Sequence, residues 1–287
     1  HTYNLVESRF EWQPLGEISV KGVSRPIAVY RPLRLRSLTE ARQARDLSLP
    51  LVAGRDAPLE ALRGCVTAVQ QGRGGIALVT GAKGMGKTQL INHVRRQFEQ
   101  AAEPPAEPVA PEKPGPATPP VTWLLGHCQS YDQSTPYSLW LGLLHNWLEA
   151  ADSDATAASP DMAGLLYQQS ELLWGDDVER YYPYLAMLLS LPVEGPQARR
   201  ITYLKAEGLQ KQIFSTVYSW VEALAQRGPL VMTLTDLQFA DTSSLELLQH
   251  CLPICESAPV LWLASFRPER TSPVWQFRHY VETEYPH

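Results

Sequence analysis

The chain has 287 residues, of which 44% are hydrophobic and 19% charged, and a formal net charge of −5. That length holds one large domain or two modest ones with a real core, and the acidic balance excludes nucleic-acid binding by overall charge. No apolar run approaches the roughly 18 residues of a membrane span and no signal peptide is visible, so no membrane contact and a cytoplasmic location are expected.

Residues 1–33 read as β-structure. Gly16–Lys21 and Pro26–Arg31 flank Gly22-Val-Ser-Arg25, which has the composition of a hairpin turn. Ile18 and Val20, and Ile27 and Val29, are two apart, as one buried face requires. Residues 34–50 are polar and carry Arg34, Arg36, Arg42 and Arg45. Such a run is a solvated linker or short helix, with a polyanion contact as the minority alternative.

A larger domain is expected over 51–287. Ala57–Gln71 has helical periodicity through Leu59, Leu62, Val66 and Val69. Gly75–Thr80 is an apolar run of strand length. Gly81-Ala82-Lys83-Gly84-Met85-Gly86-Lys87-Thr88 then fits the phosphate-loop pattern G-x-x-x-x-G-K-S/T at every fixed position, and a helix is predicted from Gln89 to Gln100. Phosphate chemistry needs that strand–loop–helix order. Glycines let backbone N–H groups close around phosphate oxygens, and the helix N-terminus adds the positive end of a dipole. Lys87 would neutralise the β and γ phosphates, and the Thr88 hydroxyl would ligate Mg²⁺. Gln89 completes the candidate nucleotide-binding run.

Residues 101–120, AAEPPAEPVAPEKPGPATPP, are mostly Pro, Ala and Glu and read as a flexible insertion. Strands are predicted at Val121–Gly126, Leu230–Thr235 and Val260–Ser265. A largely helical stretch is predicted over Tyr137–Ala225, and a helix over Thr242–Cys255. Strands alternating with helices make this an α/β chain, a P-loop NTPase with a mostly parallel sheet flanked by helices, plus a small N-terminal β-hairpin. Right-handed crossovers would put the strand C-termini and the nucleotide along one edge. Cys251 and Cys255 are four apart on one predicted helix, but no further ligand recurs at metal spacing. With Cys65 and Cys128 they read as reduced thiols.

Magnesium and an attacking water need an acid at the end of a neighbouring strand. The run Leu230–Thr235 ends in Asp236, the candidate metal and catalytic carboxylate. Asp241 is either a second acid or the cap of the next helix. Arg267, at the tip of the last strand, either senses a γ-phosphate or is a surface arginine in a turn before Pro268.

Leu51-Val-Ala-Gly54-Arg55-Asp56, the phosphate loop, Leu237-Gln-Phe-Ala-Asp241-Thr-Ser-Ser-Leu and Ser265-Phe-Arg267-Pro-Glu269 together resemble the AAA-like ATPase domains of STAND-type signalling proteins. The resemblance covers about residues 51–287. It implies ATP with Mg²⁺, a place near the adenine for Gly54 and Arg55, and a sensor role for Arg267. Two departures stand out. Thr235 replaces the first of two adjacent acids, and Gln238-Phe239 replaces a His-Trp pair. A hydroxyl cannot act as a base at neutral pH, so slow or absent hydrolysis is expected while ATP binding is kept.

Residues 1–33 resemble something different, the C-terminal end of class III adenylate/guanylate cyclase domains. The likeness rests on Leu15-Gly-Glu-Ile-Ser-Val-Lys21-Gly22 followed by Pro26-Ile-Ala-Val-Tyr30. It implies a contact between Lys21 and a substrate triphosphate; the other reading is a turn lysine. The metal-binding aspartates of such cyclases lie upstream and have no counterpart here, so this chain should not itself make a cyclic nucleotide. The expected whole is an ATP-binding regulatory module from a longer protein, truncated at its C-terminus. Its implied partners are an adjoining cyclase domain, a downstream helical-repeat domain and further copies of itself. Two other readings stay open: a non-hydrolysing, ATP-stabilised interaction scaffold, and an AAA-like ATPase acting on nucleic acid or transcription.

Overall fold

The computed structural model describes residues 10–18, 27–35, 54–102, 119–130, 132–152, 161–193, 198, 201 and 203–286. The chain divides into two units, His1–Val52 and Ala53–His287.

In the first unit, strands β1 (Phe10–Ile18) and β2 (Ile27–Leu35) pair antiparallel, from Ile18 opposite Ile27 to Phe10 opposite Leu35. Each strand reaches further from the expected turn than its own alternation suggested. Pairing with the partner supplies ladder bonds to residues whose sequence shows no clean period of two. The register shifts between Glu11 and Trp12 and between Pro14 and Gly16. Pro14 and Pro32 have no N–H to give the ladder, and Gly16 takes a φ of 90° that other residues adopt at a cost. The expected turn at Gly22–Arg25 and the candidate Lys21 lie outside the described residues.

In the second unit the described residues form a four-stranded parallel sheet with helices on both faces. Its elements in chain order are α1 (Asp56–Gln70), β3 (Gly75–Thr80), α2 (Lys87–Ala102), β4 (Thr122–His127), α3 (Ser138–Ala151), α4 (Met162–Trp174), α5 (Val178–Leu188) and α6 (Ala206–Gln226). There follow β5 (Leu230–Thr235), α7 (Thr242–Cys251), α8 (Ile254–Ser257), β6 (Val260–Phe266) and α9 (Pro273–Glu284). The strand order is β3-β6-β5-β4, all neighbours parallel.

Period-two alternation sorts the strand residues between two cores. Ile76, Leu78, Leu124, Leu230, Met232, Leu234, Trp262, Ala264 and Phe266 join one large cluster with the apolar stripes of α3 to α9. Its widest pieces are tryptophans, Trp140 edge-on to Trp262 at 6.3 Å and Trp147 edge-on to Trp220 at 5.6 Å. Such pairs contribute beyond the area they bury. On the other face α1 packs across β3, β6 and β5 and against α2. Its buried stripe is the predicted one, Leu59, Leu62, Val66 and Val69.

Several boundaries differ from expectation for identifiable reasons. The helix predicted over Thr242–Cys255 is two, α7 and α8, parted at Leu252-Pro253; Pro253 has no N–H to continue the first ladder. Ala101 and Ala102 extend α2, so the proline-rich insertion proper is residues 103–118, which lie outside the described residues. Helix α9 was not expected; it opens with Pro273 in its first turn, where a missing N–H costs nothing. The cysteines carry no disulfide, and three of the four are buried.

Two contacts fix β4 and α3 to the rest. At Gly126 a Cβ would stand 2.7 Å from Leu139, so α3 lies directly on the strand there. The Leu125 N–H donates to Asn146 Oδ1 at 2.7 Å, covering an amide on an edge strand that would otherwise invite pairing. The tie of longest reach is Asp241, which is 6% exposed. Its carboxylate accepts from Ser244 N–H (2.9 Å) and Ser244 O–H (2.6 Å) at the start of α7. It also accepts from Tyr137 N–H (3.0 Å), Ser138 N–H (3.1 Å) and Ser138 O–H (3.1 Å) at the start of α3. One side chain caps two helices, so of the two readings of Asp241 the cap holds.

Asp241→Ala should therefore lower stability by roughly 2–4 kcal/mol, since it strands one buried and two half-buried N–H groups at two helix ends. Urea unfolding measures this, and a loss below about 1 kcal/mol would contradict the double cap. Replacing residues 103–118 with a short polar linker should leave the thermal midpoint unchanged. A shortened chain that no longer folds would show the insertion to be structural.

Candidate nucleotide-binding site

The loop between β3 and α2 has the backbone its glycines permit. Gly84 and Gly86 take φ values of 80° and 73°, in the left-handed region that residues with a Cβ avoid. Space forbids a side chain at Gly86 as well. A Cβ there would come within 2.8 Å of Gln89 Oε1 and 3.0 Å of Arg55 Nη1. Arg55, at the N-cap position of α1, thus lays its guanidinium against the loop. Among the described residues, the backbone N–H groups of Lys83, Gly84, Gly86, Lys87 and Thr88 make no backbone hydrogen bond; Met85 donates to Ala82 O at 3.4 Å. Clustered amides at the start of a 16-residue helix form an anion cradle.

Lys87 folds back over this cradle. Its Nζ donates to Gly81 O at 2.8 Å and Ala82 O at 3.1 Å. Burial lowers its pKa, the nearby Asp236 carboxylate opposes that shift, and Arg267 adds to it. Three charged groups from separate elements thus share one field, although they lie far apart in the chain.

The sheet explains the convergence. All strands are parallel, so their C-terminal ends meet at one edge. Thr80 pairs with Phe266 and His127 with Thr235. The next residues, Gly81, Arg267 and Asp236, leave the sheet side by side. The expectation that the acid sits on the strand next to the loop's strand is corrected by the strand order. β6 lies between β3 and β5, so Arg267 is the nearer neighbour and Asp236 is two strand spacings away, about 10 Å.

Asp236 ends β5 in the left-handed conformation, φ 58°, which aspartate tolerates better than most residues. A short 3₁₀ turn, Leu237–Phe239, follows. Asp236 Oδ1 accepts from Gln238 Nε2 at 2.9 Å, and Oδ2 stands 3.7 Å from His127 Nδ1. Thr235 is buried and turned toward β4. Its hydroxyl donates to Gly126 O at 3.2 Å and lies 2.9 Å from His127 Nδ1. The hydroxyl is thus held between the Gly126 carbonyl and the His127 ring.

Arg267 is anchored at both ends. Its backbone N–H donates to Gln238 Oε1 at 3.0 Å. Its guanidinium lies over the Phe239 ring at 5.4 Å and faces Glu269 at 3.7 Å. Gln238 and Phe239, noted in the sequence only as departures from a pattern, thus hold the acid and the arginine. His127 was missed altogether. The available signal was a polar residue closing an apolar strand run.

The structure therefore gathers Arg55, Gly81–Gln89, Asp236 and Arg267 around the sheet edge, with Gly54 just ahead of α1. Lys21 lies outside the described residues. A concave surface of 710 Å³ lies elsewhere; Glu207, Phe214 and Tyr218 of α6 and His250 of α7 line it.

Among the described residues, no helix is long and apolar enough to cross a membrane. Comparison with curated proteins gives no match. The sequence profile of the AAA ATPase domain matches residues 51–263, a span that begins just before α1 and ends within β6. Domains of this kind generally use ATP and Mg²⁺ and often oligomerise. With its phosphate loop, parallel sheet and strand-tip acid and arginine, the chain belongs to the AAA ATPase domain family.

Proposed function

We propose that this chain is an ATP-binding regulatory module that holds its nucleotide with slow turnover and passes its nucleotide state to an adjoining cyclase domain. The observation that carries the nucleotide reading is the convergence of Lys87, Asp236 and Arg267 beside a cradle of backbone amides. The donor set suits a nucleoside triphosphate. The amides of the loop and Lys87 would take phosphate oxygens, and Arg55 would border the loop at Gly86. Thr88 and Asp236 would hold Mg²⁺, a hard cation that prefers oxygen ligands. Bound there, the ion would offset the charge of the phosphates.

Slow turnover follows from what each polar group is already doing. A base must accept a proton from water, and Thr235 offers a hydroxyl bonded to Gly126 O and beside His127. Asp241 is committed to two helix caps, and Glu269 faces Arg267. Asp236 is left as the acid for the metal. The same facts favour a second reading, an interaction scaffold that keeps ATP as a structural element. Coupling to a cyclase is supported by the resemblance of residues 1–33 to the end of such a domain.

Calorimetry on the intact chain tests the binding. ATP–Mg²⁺ should bind, and Lys87→Ala should weaken it about ten- to a hundredfold by removing a charge-assisted phosphate contact. Unchanged affinity would overturn the assignment. Single-turnover measurements test the chemistry. Bound ATP should persist, with turnover far below the ~10 s⁻¹ of a median enzyme. Thr235→Glu should raise the rate, since general-base assistance is worth roughly 10²–10⁴-fold. An ordinary ATPase rate in the native chain would refute slow turnover.

A further inference from the structure

We propose that Gln238 is a positioning residue: a strut that locks the Asp236 carboxylate to the Arg267 backbone, so that the metal-facing and phosphate-facing parts of the site move as one piece. The inference rests on the nucleotide reading above and adds a residue to it.

Gln238 is 2% exposed, an unusual place for a carboxamide. Both ends of its side chain are used. Nε2 donates to Asp236 Oδ1 at 2.9 Å, and Oε1 accepts from the Arg267 N–H at 3.0 Å. The partners fix which end is which. A carboxylate only accepts and a backbone N–H only donates, so the reversed amide would lose both bonds. The strut therefore spans from the tip of β5 to the tip of β6, the two strands whose ends carry the acid and the arginine.

The backbone of the same residue is also held. Gln238 O accepts from Ser272 Oγ at 3.2 Å and from Gln133 Nε2 at 3.5 Å. Ser272 occupies the N-cap position of α9, yet its side chain makes no cap bond and goes to Gln238 instead. The next residue, Phe239, supplies the ring beneath the Arg267 guanidinium. Four segments thus meet on Gln238: the ends of β5 and β6, the loop after β4, and the start of α9. A residue serving only to fill space would not need a donor and an acceptor aimed at two different strand tips.

In that reading Asp236 would hold the metal and Arg267 would meet the terminal phosphate, so breaking the strut should loosen both recognition terms while leaving the loop's grip on the remaining phosphates. The experiment titrates the full chain with ATP and with ADP, each with and without Mg²⁺. The native chain should prefer ATP over ADP and gain affinity from Mg²⁺. In Gln238→Met, which keeps the volume and loses both hydrogen bonds, the ATP preference and the Mg²⁺ gain should each fall about tenfold, with metal-free ADP affinity unchanged. Gln238→Glu keeps an acceptor for the Arg267 N–H but repels Asp236, so it should lose the Mg²⁺ gain and keep the ATP preference. Gln238→His, neutral at about pH 8, offers one donor and one acceptor and should restore much of both.

Two results in the Met variant would overturn the strut. One is both preferences intact; the other is a uniform loss for every nucleotide, the mark of a merely structural residue. If Gln238→Met does not fold, the Glu and His variants decide, and identical behaviour of the two overturns it. A native chain that binds no ATP overturns the nucleotide reading itself. A native chain that binds ATP while the variants keep its preferences overturns only the strut.

Discussion

Parallel pairing of four strands is the constraint on which the rest of this molecule depends. Residues near 81, 127, 236 and 267 have no reason to meet along the chain. They meet because β3, β6, β5 and β4 run the same way and end in register. An antiparallel strand in the set would send its C-terminal residue to the far edge. The strands that carry the pairing inward, β5 and β6, are buried along their whole length. Their burial supplies the stiffness that lets side chains on loops hold fixed positions.

The segment from Thr235 to Asp241 shows how one short run divides its polar groups by direction. Thr235 turns to β4, Asp236 leaves the sheet through a left-handed backbone step, Gln238 turns inward between strand tips, and Asp241 caps two helices. Burying this many polar atoms is tolerable only because each finds a partner. The partners lie on different elements, so the run also ties those elements together. Asp241 joins α7 to α3, and Gln238 joins β5 to β6 and α9. The acid placed at the candidate site thus sits between two anchors, neither of which is itself part of the nucleotide cradle.

What was legible in the sequence is what depends on neighbours along the chain. The phosphate loop needs glycines at set spacing before a helix, and Gly84 and Gly86 take the backbone that spacing implies. The stripe of α1 and the strand cores at Leu230–Thr235 and Val260–Ser265 follow from periodicity and apolar runs. What could not be read depends on partners far away. The order β3-β6-β5-β4 puts a strand between the loop and the acid, and no local pattern encodes that. Asp241 read as either a second acid or a cap for one helix; its second helix begins more than a hundred positions earlier. Gln238 read as a lost histidine, because its second partner, the Arg267 N–H at the tip of β6, is brought to 3.0 Å only by the folded sheet. His127 closes an ordinary strand run, and only the pairing with β5 sets it beside Thr235.

The state of Lys87 bears on how such a site could act as a switch. Its ammonium already donates to two loop carbonyls, Gly81 O and Ala82 O. Two of its three N–H groups are used in this way, so where a phosphate oxygen takes the place of a carbonyl only the difference between the old and new partners counts toward affinity. Both kinds of bond are charge-assisted by the ammonium, but only a phosphate oxygen sets a full negative charge against it, so the exchange favours phosphate. Burial also disfavours the ammonium, and Asp236 offsets only part of that; phosphate charge would relieve the remainder. Binding energy and conformational change are linked at this residue to the extent that phosphate oxygens replace the loop's own carbonyls. A nucleotide can shift the loop only to the extent that it prefers the released arrangement. That preference grows with the negative charge set against Lys87 and Arg267, which is the property that separates ATP from ADP.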